Sequence, residues 1–183
     1  MKFSQQVINV TGAAQKNITS DDIVWVAWIT RREADLPTAY KNLKEDLDTV
    51  LTYLESKGIR KEEIITSQIT TSKIFKKTTD GKETNDVEAY ELSQNIEIRS
   101  VDVAKIDLIS RESTELINQN IVFMSGAPSY FYTKLDDLKI EMLAKATENA
   151  KQRAESKVKA TSNKIGFMRS GKMGGFQLTP GAS

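Results

Sequence analysis

The sequence predicts an α+β domain: a largely antiparallel sheet with two amphipathic helices and a long C-terminal helix packed on it. Three observations carry that prediction. Apolar residues recur at spacings of three and four in three separate segments, which is the signature of amphipathic helices. Between them lie runs rich in Ile, Val and Thr, the composition of strands. An Asp80-Gly81 turn joins two of the longest runs, and a hairpin makes its strands antiparallel neighbours.

Taken in order, Val7 to Gly12 reads as a short strand ending at a glycine. A second strand follows the Thr19-Ser20-Asp21-Asp22 turn and runs from Ile23 to about Arg32. Its side chains alternate, so Trp25, Ala27 and Ile29 share one face while Val24, Val26 and Trp28 share the other. Both faces are apolar. Either the strand is central and covered on both sides, or a second subunit covers one side. Trp25 and Trp28 are therefore the candidate residues of an oligomer contact.

Asp35 caps the first helix and Pro37 sits in its first turn, where a missing N–H is harmless. Leu36, Tyr40, Leu43, Leu47, Val50, Leu51 and Leu54 form its apolar stripe, and Gly58 terminates it. A strand from Ile64 to Lys77, the Asp80-Gly81 turn and a return strand from Val87 to Ser100 make a long hairpin with one wet face. Asp102 caps a second helix reaching about Gln119. Short strands follow at Ile121–Met124 and Tyr130–Tyr132. Thr133 and Asp136 read as a capping box for the long helix, which runs to about Ser162. Its alanine-rich second half predicts close packing on a sheet. Phe167-Met168 begins a last strand. The whole is one domain, with an ordered core over about 7–176 and a loose tail over 177–183.

Composition excludes more than it assigns. The 183 residues contain no His and no Cys, which removes Ser-His-Asp triads, thiol nucleophiles, disulfides and His-rich metal sites. The 26 Lys and Arg balance 25 Asp and Glu, so neutralising a nucleic-acid backbone is not the main task. No stretch approaches the roughly 18 apolar residues of a membrane span. Nothing in the sequence calls for a cofactor.

The paired carboxylates Asp21-Asp22, Glu62-Glu63 and Asp136-Asp137 all fall at turns or helix starts, where capping explains them. From Lys151 to Lys172 there are seven cationic residues against one acid, Glu155. As a patch, Lys151, Arg153, Lys157, Lys159 and Lys164 would meet an anionic lipid or polymer; as a plain feature they form a solvated helix end. Met124 and Met142 read as core, Met168 and Met173 as exposed.

Several of these residues carry a family resemblance. Val7-Ile8-Asn9-Val10-Thr11-Gly12, followed by Asp22-Ile23-Val24-Trp25, is similar to the opening of the SIMPL domain family of bacterial exported proteins. The Lys57-Gly58-Ile59 corner with Glu62-Glu63-Ile64 fits the same pattern. So do Tyr130 to Lys139 and Ala144 to Lys151 at the long helix. The family usually continues past Gly174-Gly175-Phe176 into a further strand. The resemblance implies a periplasmic or membrane-anchored protein facing the periplasm, with an N-terminal anchor upstream of Met1. It also implies a homo-oligomer, with a link to envelope or oxidative stress, and supplies no catalytic residue. Two readings follow: a non-catalytic domain acting by binding or assembly, and an enzyme built from carboxylates, lysines or tyrosines. A third is binding of an anionic surface through Lys151–Lys172.

Overall fold

The computed structural model describes residues 7–161 and 164–179. It divides into two compact units, Ser20–Phe131 and Met1–Thr19 with Tyr132–Ser183.

The larger unit holds a six-stranded antiparallel sheet of β1 (Asp22–Glu33), β2 (Ile64–Thr66), β3 (Thr70–Lys77), β4 (Glu83–Ser100), β5 (Val122–Ser125) and β6 (Ser129–Phe131). Its helices are α1 (Leu36–Ser56) and α2 (Val103–Glu112). β1 is central. It pairs with β4 from Ile23 opposite Ser100 to Glu33 opposite Tyr90, and on its other side with β5 and β6. β2 and β3 pair with successive stretches of β4.

Alternation along β1 positions everything else. Ile23, Trp25, Ala27 and Ile29 are buried, and they join Leu92, Ile96 and Ile98 of β4, Leu43, Val50 and Leu54 of α1, and Ile106 and Ile109 of α2 in one core. Both helices therefore cover the same face. α1 begins where the Asp35 carboxylate accepts from Thr38 N at 3.0 Å, and ends before Gly58, whose φ of +82° favours glycine. On its buried side, Asp46 accepts two hydrogen bonds from the Arg31 guanidinium of β1, one of them 2.7 Å long.

The Ile64–Lys77 stretch is two strands rather than one. At the break, Ser67 replaces a strand rung with its own groups: its N–H donates to Asn95 O, its Oγ accepts from Asn95 N, and its carbonyl accepts from Gln94 Nε2. β4 starts earlier than expected, at Glu83, directly after the turn closed by Thr78 N donating to Lys82 O at 2.8 Å. The second helix changes character midway. α2 stops at Glu112 and a 3-10 segment, Ser113–Gln119, carries the chain on. Ser110 and Ser113 donate to carbonyls three residues back, which favours the tighter turn.

The smaller unit contains α3 (Leu135–Lys159). Its N-cap is Lys134, one residue after the Thr133 expected to open it, and Asp136 and Asp137 lie in its first turn, where acids favour the helix dipole. It ends at Lys159, with Ala160 and Thr161 in a turn, short of the expected end at Ser162, which lies outside the described residues. Within this unit, α3 receives the chain's own N-terminal segment. Ala13 N donates to Asn149 Oδ1 at 3.2 Å, Arg153 Nη1 donates to Thr11 O at 3.0 Å, and Lys16 pairs with Glu141. Val7–Gly12, expected as a strand, has no strand pairing. Phe167-Met168 is likewise not a strand, and Phe167 is fully exposed. Of the expected loose tail, 177–179 has no regular structure and 180–183 lies outside the described residues.

Candidate functional site

The sheet face away from the core helices is the feature with the most to offer a partner. Val24, Val26, Trp28 and Thr30 of β1 point there and are half-buried. The register adds Met124 opposite Trp28 and Val122 opposite Thr30, both more than half exposed. Phe131 stands opposite Asp22 on the same side, 47% exposed. Across β4 this face turns polar, with Ser93, Asn95, Glu97 and Arg99. Arg99 donates to the buried Asp22 carboxylate at 2.6 and 3.1 Å. The outer face is thus apolar over β1, β5 and β6 and charged over β4.

Trp28 is set into this face by a glycine. A Cβ on Gly126 would lie 2.8 Å from Val26 O and 2.9 Å from the Trp28 ring, so the indole occupies the space a larger residue would need. Trp25 has a different position. It is fully buried on the helix side, its Nε1 donating to Ser125 Oγ at 3.0 Å, and Ser125 Oγ donates to Ser110 O at 2.7 Å. Of the two candidate contact tryptophans, burial leaves Trp28 alone able to touch a second copy. Met124, expected in the core, is 51% exposed, because strand alternation turns Phe123 inward in its place. Met168 and Met173 are exposed, and Met142 is half-buried.

The corner at Gly58–Ile64 is a hydrogen-bonded fastening. Glu63 accepts from Arg60 N at 2.9 Å and from Ser100 Oγ at 2.6 Å, and Ser100 Oγ accepts from Asp102 N. One carboxylate thereby ties the end of the α1 turn to the end of β4 and the start of α2. Burial acts to raise the Glu63 pKa; the bonds from Ser100 and Arg60 outweigh it and bring the group down to about 2.

Opening segment, corner and long helix thus occur together in one chain, and the model of the SIMPL family, described as a protein of unknown function (DUF541), matches residues 8–177. The chain belongs to the SIMPL family. No curated protein matches it.

In this SIMPL chain the expected capping role holds for Glu63, which accepts from Arg60 N, and for the helix-start position of Asp136 and Asp137, but not for Asp22, which is buried in β1. Asp22 meets Arg99, Glu62 meets Arg60 at 3.2 Å, and Asp136 meets Lys139 at 3.8 Å, each in a different place. Among the described residues no three acids cluster as a metal site would need. The five basic candidates do not converge either. At 100° per residue, Lys151 and Lys159 lie on one side of α3 and Arg153 and Lys157 nearly opposite, while Lys164 is beyond the helix. Arg153 is also committed to the Thr11 carbonyl.

Two features escaped the sequence. Tyr130 turns to the helix side and donates to Asp107 of α2, which also accepts from Arg111. Tyr53 has a buried hydroxyl with no hydrogen-bond partner among the described residues, beside a shallow groove lined by Asp48, Thr49, Thr52, Ser56 and Gln119. Burial, and after it the Glu115 carboxylate, pushes its ionisation far above the ordinary range. The apolar outer face had a sequence signal in the unbroken run Ile121–Met124, whose alternate members had no named partner.

Proposed function

We propose that this SIMPL domain acts by binding and self-assembly rather than catalysis, and that its copies meet through the outer face around Trp28. The observation that carries the reading is the pairing of Trp28 with Met124, flanked by Val122 and Phe131, on a sheet face opposite the core helices. Aromatic and methionine side chains are enriched at the centres of interfaces, with a polar rim around them; here β4 supplies the rim. Exposure of Val122, Met124 and Phe131 forgoes burial energy that a second copy would recover at about 25 cal/mol per Å².

The setting we infer is the cell envelope, on the periplasmic side, with a role in envelope or oxidative stress. Support for it comes from the family resemblance and from the absence of cysteine, which suits an oxidising compartment.

Light scattering tests the assembly. Wild-type protein at about 100 µM, above the Kd of a specific assembly, is expected to exceed the monomer mass. Trp28→Ser and Met124→Lys are expected to return it to monomer without unfolding, followed by circular dichroism. A wild-type monomer at that concentration, or oligomers indifferent to both substitutions, overturns the reading.

A further inference from the structure

The outer face leaves β3 unexplained. β3 pairs with β4 from Thr70 opposite Ser93 to Lys77 opposite Glu83, and no other described strand pairs with it. Only Ile74 and Phe75 are half-buried; the rest of the strand is exposed. Its sequence, Thr70-Thr71-Ser72-Lys73-Ile74-Phe75-Lys76-Lys77, contains three cations and no acid. None of the three lysines forms an ion pair among the described residues. The neighbouring acids are on β4 and in the turn. Glu83 stands opposite Lys77, Glu88 is held by Arg32 at 3.6 Å, Asp86 and Glu91 line the same strand, and Asp80 is taken by Lys82 at 3.4 Å.

A strand edge presents unpaired N–H and C=O groups, and lysines on it prevent two identical edges from joining, because like charges would come together. The same lysines favour an edge of opposite charge. We propose that the open edge of β3 accepts an extended acidic segment of another polypeptide as an added strand. Backbone hydrogen bonds give the affinity, and carboxylates facing Lys73, Lys76 and Lys77 give the selectivity and a fast, salt-dependent approach. The ladder to β4 is regular from Thr70 to Ile74 and shifts beyond it, so the first five residues are the docking stretch and Lys76 and Lys77 steer from its end. This edge shares no residue with the face around Trp28 and Met124.

The probe is an eight-residue labelled peptide alternating Glu and Val, compared with one alternating Lys and Val, by fluorescence anisotropy. The acidic peptide is expected to bind at least tenfold more tightly, to weaken as salt rises, and to slow amide exchange across 70–74 in the wild-type protein. Charge reversal by Lys73→Glu, Lys76→Glu and Lys77→Glu together is expected to invert the preference. Equal binding of the two peptides overturns the proposal. So does acidic-peptide binding that leaves 70–74 unprotected, a measurement on wild-type protein that does not depend on how the variant folds. Protection of 70–74 that grows with protein concentration alone would assign the edge to a second copy, and also overturns it.

Discussion

Gly12 lies against Ala150 of α3 with no space for a methyl group between them. A Cβ on Gly12 would be 2.8 Å from the Ala150 Cβ, 2.7 Å from its N, and 1.9 Å from Ala146 O. Two of those atoms are helix backbone and cannot move aside. Gly12→Ala is therefore expected to lift the N-terminal segment from α3, at about 1–3 kcal/mol as for other overpacked sites. Amide exchange should show Ala13, bonded to Asn149, losing its protection. Unchanged exchange at Ala13 would contradict the contact.

The Arg31–Asp46 pair is expected to respond unequally to its two truncations. Asp46 is almost fully buried, whereas the Arg31 side chain is 26% exposed and can reach water. Arg31→Ala leaves an uncompensated buried carboxylate, which destabilises by about 3–5 kcal/mol. Asp46→Ala is expected to cost about half as much. Urea titration of both variants decides it, and the reverse order would contradict the burial described.

Glu63 sets an acid limit to the fold. Its folded pKa is held at about 2, below the roughly 4.3 of an unfolded glutamate. Because the folded value is depressed, its contribution is complete above the unfolded pKa and disappears as pH falls toward 2. Glu63→Gln is expected to lose about 1–3 kcal/mol at neutral pH and to show a shallower loss of stability between about pH 4.5 and 2. Parallel acid unfolding curves for the two proteins would remove Glu63 from that role.

Trp25→Phe and Trp25→Ser remove part and all of the core tryptophan ring. The phenylalanine variant loses the Nε1 bond to Ser125 and part of the buried ring, while Ser125 Oγ keeps its bond to Ser110 O, so the expected cost is about 1–3 kcal/mol. Trp25→Ser removes the ring and is expected to cost about 3–5 kcal/mol. Thermal melts measure both. Equal effects would mean that the hydrogen bond, not the packing, fixes Trp25.

What can be read from this sequence is what neighbours along the chain decide. α1 is legible to its caps because Asp35, Pro37, the Leu43–Val50–Leu54 stripe and Gly58 act within one helix. The β4 alternation and the Asp80-Gly81 turn are equally local, and with them the antiparallel hairpin. So is the family, whose corner and helix occur in sequence order. Tertiary structure decided the rest. It separated Trp25 from Trp28, since an apolar residue has the same sequence signal whether its face meets α1 or water. It broke the strand at Ser67 and tightened the chain after Glu112, where side chains bond to backbone in competition with the regular ladder. It set Gly12 against Ala146 and Ala150 of α3, because small residues specify a close approach without naming what approaches. And it left β3 on an edge, its lysines in no ion pair among the described residues, since strand order depends on which distant segments meet, and that is a property of the packed core rather than of any stretch of chain.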